Sequence, residues 1–421
     1  MDRIFIYMHS ESYIFIEVVK VAIFEKKIRE IIDNNFDKFV AIRRDLHRHP
    51  ELGLGEFRTA DKIESHLKEW GISTSERINK TSVVSIIKGI CDDAMVVGLR
   101  ADIDALPVQE LNNHNYKSAY NGKMHACGHD VHIAIQLGAA FVLQQLQDSL
   151  PGAVKLFFQQ AEESVGGAKT LIDAGVLDDP YVSHVLGMHV CPKLEVGTFG
   201  IKYDHAYAAS DTITLYVHGK SAHAASPQDG VDGIVIASNI VMALQTLVSR
   251  NTSPLDAAVL SFGVVNGGEA HNVIANHVMI RGTLRTLDDE VRKSLKGRIF
   301  EVATNIAKSY GGEVSLRVET GYDALINDKT VTALVEEVAK RVLGEDQVQV
   351  LKHPSLGVED FAYFAKARPS SYNRLGVANK VKGIIAPLHD GSFDVDEEAI
   401  RHGILIQVLS VFALMGVGIN D

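Results

Sequence analysis

Four short runs constrain the fold most: Val83-Val84-Ser85-Ile86-Ile87, Met95-Val96-Val97-Gly98-Leu99, residues 154–158, and Val185-Leu186-Gly187-Met188-His189. The first two are short, apolar, β-branched runs bounded by Gly and Asp, and the other two each follow a helical stretch. A strand with one wet face alternates polar and apolar residues, whereas a continuous run reads as a strand buried on both faces. The chain between them has helical spacing instead. Ile28, Ile31, Ile32, Phe36, Phe39, Val40 and Leu46 mark a helix over residues 25–47, a second spans 60–70 and stops at Gly71, and a third spans 130–147. Buried strands alternating with helices predict an α/β sheet covered on both faces.

A different pattern begins near residue 203. Residues 211–218 (DTITLYVH) alternate polar and apolar, as a half-solvated strand should. A helix over 233–248, strands over 258–265 and 273–284, a helix over 288–310 and a strand over 313–318 follow. The order βαββαβ is that of a ferredoxin-like sandwich of about a hundred residues. Helical spacing resumes after Asp328 and closes in an apolar helix over 396–415. The expected organisation is therefore an α/β domain of residues 25–202 and 319–421, interrupted by an inserted α+β domain of residues 203–318. Residues 1–24 form an N-terminal extension compatible with a helix.

A chain of 421 residues exceeds the size at which one core stops growing, which agrees with two domains. The net charge of −11, with no concentrated Lys and Arg stretch, argues against nucleic acid as a ligand. Three scattered cysteines, Cys91, Cys127 and Cys191, cannot form a disulfide framework and point to a reducing cytoplasm. Asp2, Arg3, Glu11, Glu17 and Lys20 interrupt the apolar N-terminus, which lacks the features of a membrane span or a signal peptide. No membrane partner is expected.

The chemistry concentrates at predicted strand ends. In Met124-His125-Ala126-Cys127-Gly128-His129-Asp130, Cys127 and His129 stand two apart around a glycine. On a helix they would point about 200° apart, whereas an extended or turning backbone sends both to one side. Thiolate and imidazole are ligands for zinc-like metals. Glu162 and Glu163 follow the 154–158 strand, and His189 ends the next. In α/β sheets the ligand crevice lies outside the carboxyl ends of the strands. Asp102 and Asp104 also follow a strand, where carboxylates can fix a ligand histidine or coordinate directly. His389 lies in a loop rich in Pro and Gly. Taken singly, each residue equally suits a buried cysteine, a structural histidine or a solvated acidic pair. Metal-type ligands at every strand end are hard to attribute to chance.

Residues 43–51 (RRDLHRHPE), 100–107 (RADIDALP), 124–130 (MHACGHD), Glu162-Glu163, 187–189 (GMH), 271–274 (HNVI) and 359–361 (EDF) together resemble the amidohydrolase branch of the aminoacylase and carboxypeptidase metallopeptidases. That branch includes hippurate hydrolases, N-acyl amino acid amidohydrolases and auxin-conjugate hydrolases. The resemblance runs from about residue 28 to the end of the chain. It implies metal ligands Cys127, His129, Glu163, His189 and His389, with Glu162 as general base. It implies a catalytic domain holding two divalent ions (zinc, manganese, nickel or cobalt) and interrupted by a lid that also forms a homodimer. His223 of the lid would steady the oxyanion in a neighbouring subunit, and Asn272 would contact substrate. The expected reaction is hydrolysis of the amide bond of an N-acyl amino acid or short peptide, such as a hippurate-like or N-acetyl amino acid. A metallocarboxypeptidase or dipeptidase, an N-acyl-diamino-acid deacetylase and a non-catalytic metal-binding protein are the alternatives. The chain departs from the branch at Pro227-Gln228-Asp229-Gly230 and over residues 368–376, which leaves the acyl group and amino acid open.

Overall fold

The computed structural model describes residues 10–74, 77–91 and 94–417, with side chains from residue 24 onward. Residues 1–9 of the expected N-terminal extension lie outside the described residues. Its remainder is no separate segment, because Ser10–Arg48 is one continuous helix. No Gly or Pro occurs between Ser10 and Arg48, so nothing in the chain breaks the helix.

The chain divides into two compact units. The first comprises the described residues up to Asp204, Asn327–Lys352, and those from Tyr363 onward. Its eight-stranded sheet runs Ser73–Thr74, Val83–Lys88, Ala153–Gln159, Val96–Asp102, His184–Glu195, Ser370–Ala378, Phe199–Ile201 and Val348–Val350. Ala153–Gln159, Val96–Asp102, His184–Glu195 and Ser370–Ala378 pair in parallel, and Val83–Lys88 joins antiparallel. Every residue of Val96–Asp102 is buried, including Arg100 and Asp102, which pair with each other past the apolar run Val96–Leu99.

The central helix His129–Gln145 has almost no polar face, and it packs on Ser10–Arg48 and on Glu398–Leu414. Two glycines set the second crossing. A Cβ at Gly138 would lie 2.3 Å from Ile404 Cδ1, and one at Gly403 would lie 2.5 Å from Ile135 Cδ1. Each helix thus offers a notch to the other's isoleucine. Ser10–Arg48 is pinned where Arg43 Nε and His47 Nδ1 both meet Asp130 Oδ2 at 2.8 Å, all three residues fully buried.

The second unit is His205–Ile326 with His353–Ala362. Its four antiparallel strands lie in the order Glu313–Thr320, Ala209–His218, His277–Thr286, Ala258–Gly267, the ferredoxin-like order, with helices Gly233–Asn251 and Asp289–Ser309. Asp232 and Asp288 cap these helices through their side chains. The strand expected from residue 273 starts at His277, because Ile274 N–H donates to Ala222 O instead. Gly233–Asn251 is long and apolar enough to cross a membrane, but it buries Ile236, Ile240, Leu244 and Leu247 in this unit's own core. Ile234, Val235 and Met242 of the same helix stay exposed.

Candidate metal centre

Gly128 holds a left-handed backbone at φ 83° as the N-cap of His129–Gln145. A Cβ there would also meet Val190 Cγ2 at 2.4 Å, so conformation and space both call for glycine. The turn delivers Cys127 and His129 to one place. Their ligand atoms and that of His189 lie within 4.8 Å of one another, and so do those of Cys127, Glu163 and His389. Two triplets therefore share Cys127. Cys127 Sγ is 3.3 Å from His189 Nε2, and Glu163 Oε1 is 3.3 Å from His389 Nε2 and 3.9 Å from His129 Nε2.

His189 does not end its strand, as expected, but sits inside His184–Glu195. The strand's pairing with Val96–Asp102 stops at Gly187 and its pairing with Ser370–Ala378 continues, so His189 lies just past the last paired residue and level with Asp102, the neighbour's last residue. His389 comes from a loop at φ 65°, held by its N–H to Ala126 O at 2.8 Å.

The hydrogen bonds fix the ring tautomers. His189 Nδ1 is 2.7 Å from Val190 O, so it carries the proton and leaves the Nε2 lone pair facing Cys127. Val190 N–H donates to His132 Nε2 at 3.0 Å, so His132 donates from Nδ1 to Asp102 Oδ1 at 2.5 Å. Arg100 Nη1 donates to the other oxygen, Asp102 Oδ2, which stands 3.6 Å from His129 Nε2. Asp104 Oδ1 is 3.4 Å from His129 Nδ1, and its two oxygens accept the Glu162 and Glu163 N–H groups. Sequence reasoning missed His132. Its signal was the three-residue spacing from His129, which puts both on one helix face.

The donors fit a divalent ion. Among the described residues, both His129 nitrogens and Glu163 Oε1 are buried with no hydrogen-bond partner, although such atoms are nearly always satisfied. Burial opposes charge on His129, yet Asp102, Asp104 and Glu163 around it raise its pKa to about 10. Burial opposes charge on Glu163 too, yet His389 and His129 draw it down to about 2. Burial together with Glu163 and Glu162 pushes the Cys127 thiol well up, while burial brings His189 to about 3. A centred dication would supply the missing partner and stabilise the thiolate. Thiolate, imidazole and carboxylate together suit zinc and its first-row neighbours.

Glu162 forms a third donor group with His129 and Glu163 and is 8% exposed. His223 and Asn272 lie on two loops of the second unit that are stitched together by Ala224 N–H to Asn272 O at 3.0 Å. Both side chains are exposed. Ala225 N–H donates to His223 Nδ1 at 3.0 Å, which puts the neutral ring's proton on Nε2. In a separate triplet, His47, Glu110 and His114, His47 is already bonded to both Asp130 and Glu110.

Residues 98–411 match the model of peptidase family M20/M25/M40. The chain is 42% identical over 364 residues to the N-acetyl-L-cysteine deacetylase of Bacillus subtilis, covering 86% of this chain and 85% of the relative. It is 35% identical over 374 residues to the hippurate hydrolase of Campylobacter jejuni, covering 89% of this chain and 95% of the relative. A solved structure described as a dinuclear metal-binding peptidase of the M20 family, from Bacillus subtilis, superposes with a TM-score of 0.80 at 33% identity, over 91% of this chain and 99% of that one. On these matches the chain belongs to peptidase family M20/M25/M40.

Proposed function

We propose that this chain is a metal-dependent amidohydrolase that cleaves the amide bond of N-acyl amino acids, with Cys127, His129, Glu163, His189 and His389 as ligands and Glu162 as general base. The observation that carries the reading is a second carboxylate, Glu162, within reach of the same donors as His129 and Glu163. A closed structural site has no use for it, whereas hydrolysis needs a proton acceptor beside the ligands. When bound, two divalent ions lower the pKa of a water and polarise the substrate carbonyl.

Glu162 takes the proton of that water at its carboxylate and passes it to the leaving nitrogen. Asp104 holds the N–H groups of Glu162 and Glu163, so base and ligand keep a fixed spacing while the proton moves. His189 and His132 are locked as neutral tautomers and take no part in the transfer. His223, with its proton on Nε2, is assigned to donate to the developing oxyanion, and Asn272 to hold the substrate. The names of the deacetylase and hippurate hydrolase relatives support an acyl group on an amino acid.

A homodimer through the second unit completes the reading. Its outer strand Ala258–Gly267 leaves an open edge bearing exposed Val264 and Val265, and helix Gly233–Asn251 adds exposed Ile234, Val235 and Met242. An open edge beside an apolar face is a surface that a second copy can cover.

The test is a panel of N-acetyl-L-cysteine, hippurate, other N-acyl amino acids and unblocked dipeptides, assayed after loading with zinc, manganese, nickel or cobalt and again after chelation. Metal-dependent release of free amino acid from the N-acyl compounds is expected. Faster cleavage of the dipeptides would replace the substrate class, and inertness of every metal-loaded form would remove the enzymatic reading.

A further inference from the structure

Three consecutive backbone N–H groups beside the candidate base end on buried carboxylates. Ala161 N–H donates to Glu56 Oε1 at 2.9 Å, and the next two, of Glu162 and Glu163, donate to the two oxygens of Asp104 at 3.1 Å each. Ala161 holds φ 53°, a region that residues with a Cβ seldom adopt. Its surroundings leave little slack. A Cβ at Gly53 would lie 3.2 Å from Ala161 Cα, and one at Gly167 would lie 1.9 Å from Gln160 O.

The origin of the outer clamp is informative. Glu56 occupies the N-cap position of helix Phe57–Glu69, where a carboxylate ordinarily bonds its own helix's first N–H groups. It makes no such bond. Glu51 caps the helix in its place, accepting from Arg58 N–H at 3.1 Å and Thr59 N–H at 2.8 Å. Glu56 is thereby released to reach Ala161, 105 residues along the chain, and is fully buried in doing so. Burying a carboxyl is costly, and Glu51 already serves the helix, so helix capping does not account for Glu56.

We propose that Glu56 is a positioning residue for the general base. Its acceptor oxygen holds the Ala161 peptide in the left-handed turn, and that turn sets where Glu162 stands against its donor group. This inference rests on the reading of Glu162 as base. Asp104 grips both Glu162 and Glu163 and cannot move one role without the other, whereas Glu56 bonds the preceding N–H, at the entrance of the turn.

The experiment uses the metal-loaded holoenzyme and its best N-acyl substrate. Glu56→Ala is expected to lower kcat by roughly tenfold to 10²-fold, the scale of a displacement of about 1 Å at a reacting group, with KM and metal content near wild type. Glu56→Gln, which keeps a carbonyl acceptor, is expected to restore most of the rate. Glu56→Ala/Ala161→Gly is expected to recover part of it, because glycine adopts the left-handed turn without a clamp. In the Glu162→Gln background, Glu56→Ala is expected to lower the residual rate little, since no base remains to be misplaced. Should Glu56→Ala fail to fold, Glu56→Leu fills the same space without an acceptor and takes its place.

An unchanged kcat per metal-loaded site in Glu56→Ala would overturn the proposal. So would a Glu56→Gln variant as slow as Glu56→Ala, or an undiminished loss in the Glu162→Gln background. A fully active Glu162→Gln enzyme would instead sink the base assignment on which the proposal rests, so the two failures are distinct.

Discussion

Replacing Glu162 and Glu163 by glutamine, one at a time, separates base from ligand at neighbouring positions. Glutamine nearly matches glutamate in size, and Asp104 holds the two positions by their backbone N–H groups, so both substitutions leave those backbone bonds in place. At position 162 the change removes the proton acceptor. General base catalysis is worth roughly 10² to 10⁴ in rate, and at about 1.4 kcal/mol per tenfold the barrier rises by about 3 to 5 kcal/mol. Metal content should not move. At position 163 the change removes the charge that His389 and His129 hold at a pKa of about 2 and that lies 3.3 Å from His389 Nε2. A neutral amide is a poor ligand, so Glu163→Gln should lose metal on dialysis and lose activity with it. The assay pairs metal analysis of dialysed protein with initial rates on one N-acyl amino acid. If Glu162→Gln hydrolyses at nearly the wild-type rate, or sheds metal as readily as Glu163→Gln, the division of roles is refuted.

Other substitutions probe other parts of the molecule. Cys127 should resist alkylation in the metal-loaded enzyme and react after chelation, read by peptide mapping; equal labelling in both states would argue against ligation. His223→Ala should lower turnover far more than metal content, and a mixed dimer of His223→Ala with Glu162→Gln should retain one working site; complete inactivity would mean that His223 serves its own subunit. Gly128→Ala should destabilise the fold and weaken metal binding together, because it strains a backbone at φ 83° and meets Val190; thermal denaturation with and without metal measures both. Arg292→Ala strands the buried Asp211 that it grips at 2.8 and 3.0 Å. Breaking a buried pair costs about 3 to 5 kcal/mol, and Lys296, 3.4 Å from Asp211, places the loss at the lower end; urea unfolding with no shift would contradict this account.

The sheet was legible because strands buried on both faces are largely apolar, and the 83–87, 95–99 and 154–158 runs are nearly so. The βαββαβ order could be read for the opposite reason, as residues 211–218 alternate where one face is wet. The candidate ligands were legible because Cys, His and Glu at strand ends declare their chemistry by type. His132 and Glu56 do not. Each works by a hydrogen bond to a backbone group, 58 residues away at Val190 and 105 away at Ala161; spacing from His129 marks the helix face of His132, but not its distant partner, and nothing local marks Glu56. The continuation of the chain past His189 was equally hidden, because the strand that prolongs it, Ser370–Ala378, arrives only near the end of the sequence. The union of residues 10–24 with the first helix was readable in principle from the lack of any Gly or Pro breaker before Pro50.

The paired notches at Gly138 and Gly403 tie the evolutionary freedom of two distant segments together. Each notch receives an isoleucine from the other helix, Ile404 into one and Ile135 into the other. A methyl group added at either glycine has nowhere to go unless the opposing isoleucine shrinks, and shrinking that isoleucine first opens a void. Both single steps lose stability, while the paired change restores packing. The crossing therefore behaves as a two-position lock in sequence space, and relatives that alter it are expected to alter positions 138 and 404, or 403 and 135, together.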